Sequence, residues 1–250
     1  MHVFLTLLRR ELGTFFMSLT GYVIVAATTF LVGESFAVLI KNLGSGVSPV
    51  PVTELFYRTY FFWLILLLAT PVITMRLFAL EKFTGTFETL MTTPVGDFQV
   101  VAAKFMAAWL FYLIAWLPMI ACCFVIQHFA RQSGALEPGT LGGMFLGIAL
   151  VGALFISIGC FASAITNNQM VAAMVTFAVG VSLFSLAYVA DGLSVGTDWQ
   201  SQVMGKFALF HQMQDYARGV VDSRSVVFLT TMTLFFLFLT LRAVESRRWK

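Results

Sequence analysis

The chain alternates long apolar runs with short polar breaks, and six of the runs are long enough to cross a bilayer as helices. Such a helix needs about 20 apolar residues to span the ~30 Å hydrocarbon core. Runs of that kind cover 21–40, 57–75, 100–126, 141–165, 170–190 and 226–243. The breaks between them read as connections. Gly44, Gly46, Pro49 and Pro51 follow the first run, Arg76 closes the second, and residues 128–140 follow the third. Residues 166–169 join the fourth run tightly to the fifth. Pro118 lies inside the third run and predicts a kink there.

Three segments outside these runs carry helical patterns of their own. Over residues 1–19, at 100° per residue, Phe4, Leu5, Leu8, Leu12, Phe15 and Phe16 share one face. Thr6, Arg9, Arg10, Gly13 and Thr14 occupy the other, with Leu7 as the exception, which predicts an amphipathic helix lying in the membrane interface. In 78–94, Leu80, Phe83, Phe87, Leu90 and Met91 form an apolar stripe opposite Glu81, Lys82, Gly85, Thr86, Glu88, Thr89 and Thr92. Glu81, Gly85 and Glu88 follow i, i+4, i+7, so a short helix flat on the inner membrane surface would turn an acidic-and-glycine ridge to the cytosol. Glycine costs about 1 kcal/mol in a helix relative to alanine, so Gly85 reads as room for another protein's backbone. In 191–224, Phe207, Leu209, Phe210, Met213, Tyr216 and Val220 recur at near-helical spacing between charges, predicting short helices before the last run.

Composition turns this pattern into a fold class. Apolar residues are 59% of the chain and charged residues 11%, against about 45–50% and 25% in soluble domains. With 250 residues, six spans leave no room for a separate soluble domain. The expectation is one all-α integral membrane domain over 1–250. Orientation follows from Lys and Arg. With both termini cytosolic, the inner side carries a net charge of +4 and the outer side −1, and the basic end Arg247-Arg248-Trp249-Lys250 lies inside. Arg9, Arg10 and Glu11 interrupt any cleavable signal pattern.

Candidate chemistry is sparse. No GxxxxGK[ST] occurs, since Gly205-Lys206 is followed by Phe207 without the required upstream glycine. His2, His128 and His211 form no motif, and Cys122, Cys123 and Cys160 have neither metal-site nor disulfide spacing. No catalytic residue, cofactor or metal is expected in this chain. Glu34 is an intramembrane carboxylate with two readings: a functional group, or a side chain that reaches the outer headgroups or pairs with Arg58. Gly143 and Gly147, four apart, suit close helix packing, either within one subunit or at a dimer seam.

Residues 71–76 (Pro-Val-Ile-Thr-Met-Arg), followed by Glu81-Lys82, Gly85-Thr86, Glu88, Leu90, Thr92 and Pro94, resemble the ABC-2 type transporter permeases, and more narrowly the gliding-motility-associated subfamily. The likeness continues through Lys104, residues 158–169, Arg218 to Asp222, and Arg242 to Trp249, in the same order. The resemblance implies the transmembrane (permease) subunit of an ATP-binding cassette transporter in a bacterial cytoplasmic (inner) membrane. It implies a separate P-loop ATPase subunit that binds ATP and Mg, a second permease copy (identical or related), and an accessory protein on the outer side. Nucleic acid has no part in it. Residues 1–19 correspond to the family's elbow helix and 78–94 to its coupling helix, with Glu81, Lys82, Gly85, Thr86, Glu88, Thr89, Thr92 and Pro94 meeting the ATPase. The segment before the last span corresponds to short re-entrant helices on the outer side, with Phe207, Phe210, Tyr216, Arg218 and Asp222 at the gate. The implied activity is export or extraction of a lipid-linked, polymeric or amphipathic cargo. The alternative is an ATP-independent secondary transporter or channel, against which the scarcity of intramembrane charge counts. A membrane anchor that moves nothing would not need six spans.

Overall fold

The structure, a computed structural model, describes residues 2–44, 56–57, 60–86, 96–129, 138–193 and 209–246. Among these the chain is all helical: α1 His2–Phe16, α2 Leu19–Gly44, α3 Tyr60–Thr74, α4 Ala79–Thr84, α5 Asp97–Ala115, α6 Leu117–Phe129, α7 Pro138–Ile165, α8 Gln169–Leu193, α9 Leu209–Ala217 and α10 Ser223–Glu245. Six stretches are long and apolar enough to cross a membrane: Leu19–Lys41, Tyr60–Thr84, Asp97–Val125, Gly139–Ile165, Gln169–Val189 and Ser223–Glu245.

α7 is the axis of the bundle. It packs against α3, α5, α8, α9 and α10, and it buries Met144, Ile148, Val151, Phe155, Ile156 and Cys160. α8 and α10 lie outside it, with Met170, Met174, Phe177, Leu234, Phe235 and Phe238 exposed. Water would not tolerate so many apolar side chains on one outer surface; lipid tails do. The turn between α7 and α8 is short because Asn168 starts α8 directly, its Oδ1 accepting from the Met170 N–H at 2.9 Å.

The structure adds detail to the sequence pattern in three places. The third span carries the expected kink as a one-residue interruption: α5 ends at Ala115, Trp116 is a turn with near-helical φ −89° and ψ −8°, and Pro118 is the second residue of α6. Pro118 has no N–H and its ring would meet the Ile114 carbonyl in a continuous helix, so it starts a helix more readily than it continues one. α1 also packs a stripe of its own against the protein, beside the apolar face read from the wheel. Leu7, the exception on the wheel, packs against the core with Phe15, and Glu11 between them is only 7% exposed, whereas Leu5 and Phe16 are exposed. The stripe Leu7–Glu11–Phe15 docks on α5, where the Phe15 ring stacks on Phe111 at 4.9 Å. Finally, α4 stops at Gly85, which has φ +75° and caps the helix in the left-handed conformation. The helix is therefore interrupted between Glu81 and Thr86, and Glu88 lies outside the described residues. Within the chain a Cβ at Gly85 would meet no atom of the described residues within 4 Å, so here it is the left-handed backbone conformation that favours glycine.

Candidate functional site

Glu81 on α4 does not stand on a free ridge. Its Oε1 receives the Lys104 ammonium at 2.8 Å, and the same ammonium lies 3.3 Å from Glu11 Oε1. Arg10 completes the group, 2.8 Å from Glu11 and 3.8 Å from Glu81. Two cations and two carboxylates thus alternate, joining α1, α4 and α5. Lys104 is 2% exposed and sits 5.5 Å from the centroid of the Phe78 ring. Such a charge is tolerable only if paired, because desolvation costs several kcal/mol per ion. The hydrogen bond and charge of Glu11 raise the Arg10 pKa above its ordinary value, against an opposing pull from partial burial. Glu81 Oε2 is buried without a hydrogen-bond partner among the described residues, so the network leaves one acceptor unsatisfied.

The corner before α4 is held just as firmly. Ser163 Oγ, near the end of α7, accepts from the backbone N–H groups of Phe78 and Ala79, each at 3.1 Å. Lys82 donates to the Ala164 carbonyl, where the carboxyl end of α7 favours a cation. α4 is therefore clamped to α7 on one side and to α1 and α5 on the other. Thr84, the last residue of α4, and Thr86 just past it are exposed, their hydroxyls 2.9 Å apart. Glu88, Thr89, Thr92 and Pro94 lie outside the described residues.

At the opposite end of the bundle, α9 seats on α7. Leu209, Met213 and Tyr216 face inward, and Phe210 joins an aromatic cluster with Trp63 at 4.6 Å and Phe184 at 5.2 Å. A Cβ at Gly143 would overlap the Tyr216 carbonyl, and one at Gly147 would come within 3.1 Å of the Tyr216 ring. The small-residue face of α7 therefore receives α9 of the same chain. Asp222 caps α10, its Oδ1 accepting from the Arg224 N–H at 2.9 Å, and Arg218 is exposed just past α9. Phe207 and Arg58 lie outside the described residues, and Glu34 sits on an exposed face of α2.

Sequence reasoning missed the partners of Lys104. Glu11 had a usable signal, being four residues from both Leu7 and Phe15 on one helical stripe. Ser163 had none, because a serine in an apolar run gives no sign of accepting hydrogen bonds from a distant turn. Among the described residues no group of His, Cys, Asp and Glu is placed to hold a metal ion. What the cluster provides is mechanical: a rigid joint of three helices at one end of the bundle.

A family described as ABC-2 family transporter protein matches residues 18–183, from the start of α2 into α8. The match includes Glu81, Lys82, Lys104 and Ser163, while Arg10 and Glu11 precede it. No curated protein matches the chain significantly. With two-thirds of its length matched and six membrane-crossing helices, the chain belongs to the ABC-2 family and is a membrane subunit of an ABC transporter.

Proposed function

We propose that this permease converts ATP hydrolysis in a separate P-loop ATPase into movement of its spans, with α4 and the residues after it as the coupling element and α1 as the elbow helix. The observation that supports this reading most is the ion-pair group Arg10–Glu11–Lys104–Glu81, built around the buried Lys104. A push on α4 cannot be absorbed locally, because moving it alone would strand Lys104, which is 2% exposed, without its nearest carboxylate. α1, α4 and α5 move together, and rigid-body displacement at an interface is how such switches are thrown. In this reading both termini are cytosolic, the membrane is a bacterial inner membrane, and two permease copies face each other around the path. Within the family the chain groups with the gliding-motility-associated permeases. The cargo is lipid-linked, polymeric or amphipathic, consistent with a bundle that offers few charges to a hydrophilic ion. α9, wedged against α7 by its aromatic side chains, closes the path on the outer side.

The test is isolation of the full chain from native membranes under mild detergent. The preparation is expected to contain a P-loop ATPase and to hydrolyse ATP, with Glu81→Gln lowering the stimulation of hydrolysis per permease recovered from the membrane. A preparation that transports without any ATPase would refute the proposal in favour of a secondary transporter.

A further inference from the structure

Beside the ion-pair group lies a cleft of about 720 Å³, walled by α1, the start of α2, the end of α3 and α4. Five ionisable side chains line it: Arg10, Arg76 and Lys104 against Glu11 and Glu81. Both carboxylates are engaged by Arg10 and Lys104. Arg76 is the surplus. Its hydrogen bonds go to two neutral hydroxyls, Thr20 Oγ1 and Ser18 Oγ (the latter at 3.4 Å), and it has no carboxylate partner among the described residues. Both of those bonds use Nη1, so the donors on Nη2 and Nε are left for something else. A planar guanidinium with two free parallel donors matches the oxygens of a phosphate.

The remaining wall is apolar. Phe15, Ile24 and Val72 line the same cleft as Arg76. On the adjacent face of α2, Leu19, Tyr22 and Val23 are 82%, 66% and 58% exposed. An acyl chain leaving the cleft would therefore meet continuous apolar surface, which a soluble phosphate ester would not need. The cleft also sits where a headgroup lies, because α2 and α5 begin and α3 ends at this end of the bundle. We propose that the cleft binds the phosphate headgroup of a membrane lipid from the leaflet at this end, with Arg76, Ser18 and Thr20 on the phosphate and Ile24 and Val72 along the first acyl carbons. The lipid is a bound component of the subunit and not its cargo. The inference goes beyond the coupling function: it requires only that the chain spans the membrane and asks nothing of an ATPase.

The test uses the purified full chain in detergent, with native mass spectrometry reading bound mass as a function of ligand. Three probes separate the sources: dioleoyl phosphatidylglycerol, dioleoylglycerol (the same tails without phosphate) and glycerol 3-phosphate (the same head without tails). Phosphatidylglycerol is expected to bind at least about tenfold more tightly than either fragment. Arg76→Gln should weaken it about tenfold, as expected for loss of charge-assisted hydrogen bonds. Arg242→Gln, which removes an equally basic residue outside the cleft, should not. Glycerol 3-phosphate binding as tightly as the lipid would overturn the lipid assignment. Equal losses in the two variants would reduce the effect to diffuse surface charge, and no loss in Arg76→Gln would remove the site. Wild-type protein offers a check that needs no variant. A phosphatidylglycerol with a photoreactive group near its glycerol should label the peptides carrying Ile24 and Val72, and labelling confined to other peptides would reject the proposal.

Discussion

Lys104→Met removes the buried cation while keeping the length and apolar stem of the side chain. Glu81 and Glu11 then lose partners at 2.8 and 3.3 Å, in an environment where Lys104 itself is 2% exposed. Removing one partner of a buried ion pair costs about 3–5 kcal/mol, mostly through the charge left behind. Arg10 stays 2.8 Å from Glu11 and 3.8 Å from Glu81 and is half exposed, so part of the stranded charge remains covered. The low end, about 3 kcal/mol, is therefore expected. For a chain of this size that corresponds to a fall in melting temperature of about 6–12 °C, read at one fixed scan rate because unfolding from detergent is a rate-dependent process. The diagnostic comparison is the double variant Lys104→Met with Glu81→Gln. It removes the stranded charge and should recover about 1–2 kcal/mol of the loss. Wild-type melting in Lys104→Met, or a double variant less stable than the single, would refute the reasoning that this group is held by mutual pairing.

Ser163→Ala strips two buried backbone donors of their shared acceptor and should cost about 2–3 kcal/mol, with faster hydrogen exchange at Phe78 and Ala79; unchanged exchange there would count against the clamp. Gly85→Ala places a side chain at φ +75°, a penalty of about 1–2 kcal/mol, so α4 should fray, and Gly85→Asn should fray it less. Gly143→Ala would drive a Cβ into the Tyr216 carbonyl and should loosen α9 by about 1–3 kcal/mol, whereas Gly142→Ala, with nothing within 4 Å, should not. Equal protease sensitivity of α9 in both variants would refute that seat. Single cysteines at Ser45, Gly134 and Thr197, in a background lacking the native cysteines, should label from outside intact cells, and those at Thr92 and Asn167 only after permeabilisation. Outside labelling at Thr92 would reverse the orientation.

The spans were legible because lipid imposes a simple rule, a long apolar run for every crossing, and such runs need no knowledge of partners. The tight turn after Ile165 was legible for the related reason that polar residues between two such runs have only one place to go. The functional cluster was only half visible. Glu81, Lys82 and Lys104 stand out as rare charges beside apolar runs, but a helical wheel assigns a charge to the outside by default. It had no means of placing Glu81 against Lys104, 23 positions away. Gly85 misled for a different cause. A wheel treats every residue as helix interior, whereas a glycine just past a turn that carries a basic residue, here Lys82, equally signals a helix end. Gly143 and Gly147 marked a close contact correctly, yet spacing alone does not say whose backbone arrives.

The pairing of Glu11 with Lys104 also orders events in time. Ninety-three positions separate the two residues along the chain. At a synthesis rate of about 5–20 residues per second, Glu11 leaves the ribosome about 5 to 20 s before its partner exists. Through that interval Glu11 lacks the buried ammonium that it meets at 3.3 Å in the finished bundle, so α1 is expected to take its final seat only after two spans have been made behind it. Its docking is a late step of biogenesis, completed when α5 delivers Lys104 and not when α1 itself is made.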